Sequence, residues 1–543
     1  MLKLLKQLSN FSVRKLILIT ALSHFVLFSL PINIKNFVHD SAVLDFAIKN
    51  FIFDTTADLF IIYLIIAIIA VHKYLFSVCL PLIFMFSAAA CYFMFNYKMD
   101  INPGILNVVF GANKEQISLY VGFGFWFYEF CFFVFSFLFV WLFNKKSEKF
   151  LIYSKIIFYS IVTFIIYLFS QIFSNDAGNR HLPYNYIYSS YKYFTDYKIP
   201  KNNSVKINIA EKYNFDFKKN DKDLTIILVI GESARSDHFS LNGYFRDTNP
   251  KLSLVNNLIS FKNVYSCSAM TTPSVSCILT RANKNNLKPI YNETSIISIF
   301  KKLGFKTYWL GVPTEESFDF KPFYKLMKNT DEHYFLNKKT LANYNSDLIS
   351  IPYLEKILKD KTISKKFIII HTIGSHWPYT FLVEKEYLKY KPTCGINRWN
   401  AKNMEDDKVN DHISSIKKYC DKPSLINSYD NSILYTDYFL NEVITTLDKS
   451  NDNAMFLYVS DHGQSLGENG YYLQGNEKIK EQMHIPMLFW SSEKFRKTNK
   501  EKIEKIKNKT NNKLTHENIF HSLLDCLDIE SKAINKQKSI CND

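Results

Sequence analysis

The sequence predicts two architectures in tandem: a bundle of five membrane-spanning helices over residues 1–174, and an exported α/β domain with a mostly parallel sheet over residues 223–543. Three observations predict this. Long apolar segments, rich in Phe, crowd the first third of the chain. Short apolar runs alternate with helical patterns in the rest. Six of the nine cysteines fall in that second part.

The first fifteen residues, MLKLLKQLSNFSVRK, carry four positive charges and no acid. A cleavable signal peptide would begin this way, but no small-residue cleavage site follows and further apolar segments do. Spans are expected near 16–34, 51–71, 74–96, 119–143 and 150–173, each long enough to cross roughly 30 Å of hydrocarbon. Asp54 and Asp58 weaken the second span and are placed near the outer interface, where an acid costs less than at the midplane. The glycines of GFGF (122–125) sit in an apolar span, which reads as helix packing rather than a dinucleotide loop. The basic N-terminus, His72-Lys73 and the basic loop at 144–149 share one side if there are five crossings. That side is cytoplasmic, so everything after about residue 174 is exported.

The formal net charge of +16 does not point to nucleic acid, because only seven of the 66 basic residues are Arg. Groove readers use Arg for bidentate base contacts. The Lys here are interleaved with Asn, Asp and Glu, which suits a basic surface facing anionic headgroups.

Cys79, Cys91 and Cys131 lie in spans, as small apolar residues. The other six are Cys267, Cys277, Cys394, Cys420, Cys526 and Cys541, an even number that suits disulfides in an oxidising compartment. Cys267–Cys277 is the natural pair, worth roughly 2–3 kcal/mol on the loop-entropy account. Cys394–Cys420 comes next and Cys526–Cys541 is what remains. Zinc binding by these thiols is the competing reading, but there is no Cys-x-x-Cys.

Residues 175–222 are polar and Tyr-rich and read as a juxtamembrane linker. Beyond them, DLTIILVIG (223–231), KFIIIHTIG (366–374) and AMFLYVSDHG (454–463) are short apolar runs of the doubly buried kind. KTYWLGV (306–312) and IPMLFW (485–490) resemble them. TSIISIFKKLG (294–304) and 426–449 are helical patterns between strands, so the sheet is expected to be covered on both faces. Ligands in such sheets collect beyond the carboxyl ends of the strands. There the first run ends in Glu232, the FIII run in His371 and His376, and the third in Asp461-His462. A single acid after a strand is often a helix cap, and DHG can be a simple turn. Three such tips in one sheet suit Zn²⁺, which takes nitrogen and oxygen ligands and can keep a position open.

CSAMTTPSVSC (267–277) places Pro273 as the expected first residue of a helix. Thr271 and Thr272 then sit at its N-terminus, which favours an anion. Capping threonines beside a disulfide are the bland reading. A hydroxyl bound to a metal is a far better nucleophile than a free one, and the acid and Asp-His tips elsewhere favour that reading.

GES, the stapled threonine, HTIGSH and SDHG, in that order, resemble the alkaline phosphatase and sulfatase superfamily. Within it the chain resembles bacterial phosphoethanolamine transferases, including lipid A modifying and mobile colistin-resistance enzymes. The likeness runs through INPGILNVVFG (101–111), VIGESARSDHFSLNGYFRDTNPKL (229–252), INSYDNSILYTDYFL (426–440) and YVSDHGQSLGENGYYLQG (458–475). It implies an alkaline-phosphatase-like exported domain and one zinc on Glu232, Thr271, Asp461 and His462, with Thr271 the nucleophile and Thr272 the second choice. His376 matches a histidine that binds substrate phosphate or a second metal, and is taken as general acid and base. Gln474 and Gln464 stand where many relatives have His and Glu, which argues against a permanent second zinc. Gln474, Asn242 and His484 are further candidates for substrate contact.

The resemblance implies a two-step reaction. The zinc-activated Thr271 takes phosphoethanolamine from phosphatidylethanolamine, diacylglycerol leaves, and an envelope acceptor such as lipid A or the lipopolysaccharide core receives the group. The expected setting is a multi-pass monomer in the inner membrane with its catalytic domain in the periplasm. The added ammonium group would weaken binding of cationic peptides such as polymyxin. A glycerol-phosphate transferase or phosphodiesterase of the same superfamily is the alternative. A sulfatase is disfavoured, because no Cys/Ser-x-Pro-x-Arg stands at this position. A membrane-anchored sensor with the fold but no chemistry would have lost a ligand, and all four are present.

Overall fold

The computed structural model describes residues 12–40, 44–96, 106, 122–145, 182, 184–194, 206–218, 223–313, 326–337, 346–380, 383–395, 416 and 420–542. The chain divides into two compact units, Met1–Lys198 and Ile199–Asp543.

In the first unit four helices are long and apolar enough to span a membrane: Val13–Lys35, Phe51–Ile69, Lys73–Asn96 and Phe123–Asn144. The fifth expected span, 150–173, lies outside the described residues. These helices are α1 (Val13–His24, continued by a π-helical stretch Phe25–Ser29), α2 (Leu44–Ile69), α3 (Lys73–Asn96) and α4 (Phe123–Asn144). They pack through buried Phe28, Phe76, Phe84 and Phe143, while Phe123, Trp126, Phe127, Phe130 and Trp141 point outward. An apolar exterior of this kind suits lipid and not water. Two pairs of buried polar groups join the helices: Asn33 donates to Asp58 at 2.9 Å, and His24 meets the Ser87 hydroxyl at 2.8 Å. Among the described residues nothing packs on the glycines at 122 and 124. Gly122 caps α4, and a Cβ at Gly124 would meet nothing within 4 Å.

The second unit is built on one eight-stranded sheet: β1 (Leu224–Gly231), β2 (Ile259–Tyr265), β3 (Lys306–Gly311), β4 (Glu332–Phe335), β5 (Lys365–His371), β6 (Ala454–Ser460), β7 (His484–Ser491) and β8 (Leu514–Thr515). Its order is β8-β2-β7-β6-β1-β5-β3-β4. All neighbours are parallel except β7, which runs antiparallel to both β2 and β6. β1 and β6 are buried at every residue, because helices cover both faces of the centre. The apolar run at 485–490 thus looks like the parallel strands beside it; its direction is fixed by the chain entering from the site end of the sheet.

The helices that matter for the site are α5 (Thr271–Leu279), α6 (Lys422–Lys449) and α7 (Glu517–Asp525). α6 begins at 422 rather than 426, where Asp421 accepts a hydrogen bond from Ser424 N–H at 2.8 Å and caps it. α5 begins at Thr271, so Pro273 is its third residue and not its first. The first four N–H groups of a helix have no partner within it, so a proline at the third position costs no hydrogen bond.

Candidate metal centre

Parallel register brings the strand tips together. Gly231 pairs with Ser460, and Ile230 with both Val459 and His371. The next residues on β1 and β6 are Glu232 and Asp461, which therefore emerge side by side. Two glycines allow this crowding. Gly374 has φ +46°, and a Cβ there would lie 2.8 Å from the Glu232 carbonyl oxygen. A Cβ at Gly463 would come within 2.2 Å of the Glu481 carbonyl.

Glu232, Asp461 and His462 are fully buried and offer ligand atoms within 4.8 Å of one another. The His462 Nδ1–H donates to the Gly463 carbonyl at 2.9 Å, which turns Nε2 toward the acids. Nε2 lies 3.6 Å from Glu232 Oε1 and 3.4 Å from Asp461 Oδ2. Asp461 Oδ1 accepts from the Ser233 and His462 N–H groups at 2.9 and 2.7 Å. Asp461 Oδ2, by contrast, is buried and accepts no hydrogen bond. Thr271 completes the cluster: its Oγ1 donates to Glu232 Oε2 at 3.3 Å and lies 3.1 Å from His462 Nε2.

This donor set fits a divalent cation. Two buried carboxylates remain net negative even beside a protonated imidazole, and a buried uncompensated charge is costly. A cation among Glu232, Asp461, His462 and Thr271 would balance it and give Asp461 Oδ2 a partner. Nitrogen and oxygen donors, four in number, suit zinc.

The surrounding contacts are structural. Tyr429 on α6 donates to the Ser233 carbonyl at 2.7 Å and accepts from Arg235 N–H at 2.9 Å. Arg235, also buried, reaches Asp237, Glu468 and the Gln464 carbonyl, tying the loop after β1 to the loop after β6. Burial alone would lower its pKa, but Asp237 and Glu468 outweigh that and raise it. Asp347 accepts from the Ile373 and Gly374 N–H groups at 2.8 and 3.1 Å, holding the loop after β5. Burial pushes its carboxyl up to about 6, against the pull of those two N–H groups.

The other expected site residues are placed as follows. Thr272 follows Thr271 in the first turn of α5. His371 ends β5, buried, with its pKa lowered to about 4 by burial while Asp461 pulls the other way. His376 is half-buried in the loop beyond, its Nδ1 at 2.6 Å from the Trp377 carbonyl. Gln474 adjoins the stapled segment, since Gly475 N–H donates to Ala269 O at 3.0 Å, and its Oε1 is buried without a hydrogen bond. Gln464 is buried and accepts from the Tyr379 hydroxyl. Asn242 uses both ends of its amide on Ser236 and Ser260, at 2.9 and 2.7 Å. His484 hydrogen-bonds the Lys262 carbonyl at 2.8 Å and stacks on Tyr265. Cys267–Cys277, Cys394–Cys420 and Cys526–Cys541 are disulfide-bonded. Sequence reasoning missed Tyr429 and Arg235. Arg235 stands three residues after Glu232, and as one of few Arg in the chain it carried a signal.

Residues 225–529 match the Sulfatase family model, and the chain belongs to that family. Residues 59–197 match a second model, Phosphoethanolamine transferase EptA/EptB. It is 32% identical over 335 residues to phosphoethanolamine transferase EptA of Helicobacter pylori, covering 60% of this chain and 57% of that one. It is 30% identical over 329 residues to Kdo(2)-lipid A phosphoethanolamine 7''-transferase of Salmonella typhimurium, covering 59% and 54%. The matched part thus spans little more than half the length of either relative. The solved structure of the integral membrane lipooligosaccharide phosphoethanolamine transferase A of Neisseria meningitidis superposes with a TM-score of 0.69. It covers 97% of this chain and 98% of that one at 22% identity, a likeness of fold.

Proposed function

We propose that the chain transfers phosphoethanolamine from phosphatidylethanolamine to an envelope acceptor through a phosphoethanolamine-threonine intermediate on Thr271. The observation that carries this reading is the position of Thr271 Oγ1, 3.1 Å from His462 Nε2 and 3.3 Å from Glu232 Oε2, on the first residue of a stapled helix. A zinc ion held by Glu232, Thr271, Asp461 and His462 would supply Lewis acidity, lowering the pKa of the hydroxyl and offsetting charge at phosphate.

The chain's own groups do the rest. Glu232 Oε2 orients the Thr271 hydroxyl and takes its proton as Oγ1 bonds to phosphorus. The bond from phosphorus to the diacylglycerol oxygen breaks, and His376 gives that oxygen a proton. In the second step His376 takes a proton from the acceptor, whose oxygen bonds to phosphorus as the bond to Thr271 breaks and Glu232 returns its proton to Oγ1. The N-terminal end of α5 adds partial positive charge near the phosphoryl oxygens. Gln474 offers an amide to the same phosphate.

The name of the Salmonella relative favours lipid A as acceptor. Basic loops on one side of the spans and three disulfides in the second unit favour a multi-pass protein of the inner membrane with this unit in the periplasm. Mass spectrometry of the envelope from cells carrying wild type or Thr271→Ala tests the reading. One phosphoethanolamine unit should appear on the acceptor with wild type only. A glycerol-phosphate unit would assign the chain to the related synthases, and equal modification by the variant would remove Thr271 from the mechanism.

A further inference from the structure

We infer that His516 is a positioning residue, a strut that sets the Thr271 hydroxyl against the Asp461–His462 tip. The inference rests on the reading of Thr271 as nucleophile. His516 immediately precedes α7 and is fully buried. Both ring nitrogens are engaged by main chain. The Cys267 N–H donates to Nδ1 at 3.1 Å, so Nδ1 carries a lone pair. Nε2 therefore holds the proton, which it donates to the Ser460 carbonyl at 2.9 Å. These two bonds allow a single neutral tautomer, and burial favours the uncharged ring, with its pKa lowered to about 4.

The two main-chain groups belong to opposite halves of the site. Cys267 opens the stapled segment four residues before Thr271 and anchors its disulfide to Cys277 in α5. Ser460 ends β6, one residue before Asp461. The Ser460 hydroxyl accepts from Ala234 N–H at 2.9 Å and donates to the His462 carbonyl at 3.1 Å, so Ser460 is itself locked to both ligand loops. The rigid ring of His516 thus spans from the ligand-bearing strand to the root of the nucleophile's segment.

A second tie runs nearby. Ser266 N–H donates to Met483 O at 2.8 Å, and Gly463 N–H to Gln482 O at 2.9 Å. It holds the same two segments to the residues before β7, but through two separate residues, Gln482 and Met483, rather than one ring. The imidazole is the only side chain among the described residues that hydrogen-bonds both Cys267 and Ser460 main chain. Removing it frees the separation of the two halves, and an error of about 1 Å in a reacting atom costs on the order of 100-fold in rate.

The conservative variants divide the strut. His516→Asn keeps an acceptor near the Nδ1 position and His516→Gln keeps a donor near Nε2. The full chain would be purified in detergent and assayed with a fluorescent phosphatidylethanolamine donor. Metal content, melting midpoint and hydrogen exchange at the Cys267 amide would be measured alongside. Both variants should lose about 10- to 100-fold in kcat with KM within about twofold of wild type and metal content unchanged. Cys267 should exchange faster in His516→Gln than in His516→Asn. Wild-type kcat in a variant whose Cys267 amide exchanges fast would overturn the inference. So would loss of metal or of melting midpoint in both variants in proportion to activity, because the ring would then serve the fold or the ion. Thr271→Ala run in parallel separates the two levels: if it stays active, the nucleophile reading fails whatever His516 does.

Discussion

Among its described residues the second unit buries two Asp-His pairs, and they differ in one respect. In the first, Asp430 on α6 is saturated: Oδ1 meets His238 Nδ1 at 2.6 Å, and Oδ2 accepts from Tyr244 and Arg246 at 2.9 and 2.8 Å. In the second, Asp461 has one oxygen filled by two N–H groups and the other with no hydrogen bond, facing His462 and Glu232. Both aspartates are fully buried. Burial and residue type therefore do not distinguish a structural pair from a site. The count of donors does: where protons run short among buried anions, something positive is expected to come from outside.

Several substitutions can break or sharpen this contrast. The largest effect is expected from Asp461→Asn, which keeps the acceptor for Ser233 and His462 N–H but removes the unfilled anionic oxygen. Transfer should fall by at least about 1,000-fold, roughly 4 kcal/mol at the transition state, with loss of tightly held zinc by metal analysis. In chelator-treated protein the same change should raise the melting midpoint, because it relieves repulsion from Glu232. A midpoint that falls instead would mean the aspartate is structural after all.

Asp430→Asn should behave in the opposite way. Its amide can keep the bonds from Tyr244 and Arg246 only by turning NH₂ to His238 Nδ1, which forces the other tautomer, and it removes the buried carboxylate that Arg246 pairs with, so stability should drop by about 3 kcal/mol in denaturant titration. Zinc content of the folded fraction should stay at the wild-type level.

A third prediction concerns acid. His371, His516 and His521 are held neutral by burial, each with its pKa lowered from 6.5 to about 4. Between those values the unfolded chain binds protons that the folded chain does not, so stability is full above pH 6.5 and is lost as pH falls toward 4. Each ring contributes about 3 kcal/mol to that loss. Melting midpoints across the window should be flatter in His521→Gln, whose ring accepts from Asn535 N–H at 3.1 Å and serves as the comparison for the other two.

The smallest effect is expected at Gln474. Its buried Oε1 has no hydrogen bond, and Gln474→Ala should lower turnover about fivefold, the worth of one modest hydrogen bond. Zinc content should not change, which would set Gln474 apart from the ligands.

The sequence made some of this legible for physical reasons. Strands buried on both faces read as unbroken apolar runs, and polar residues that end such runs stand out, which is how Glu232, Asp461 and His462 were found. The direction of β7 left no trace, because an apolar run reads the same either way. The start of α5 was misplaced because Pro273 is tolerated anywhere in a first turn. Cys526–Cys541 could be reached only by elimination, as pairing depends on the fold around it. His516 gave no warning. Its partners are main-chain groups, and main-chain groups have no signature in sequence.

Register between β1 and β6 has a consequence for biogenesis. Ser233 N–H and the Asp461 carboxylate meet across a sequence separation of 228 residues. Glu232 and Thr271 must therefore wait, already translocated, until most of the polypeptide has followed them. A contact of such long sequence range closes late and slowly. Capture of an ion would be among the last events in maturation, and a chain stalled partway through export would hold half a binding site with no means of completing it.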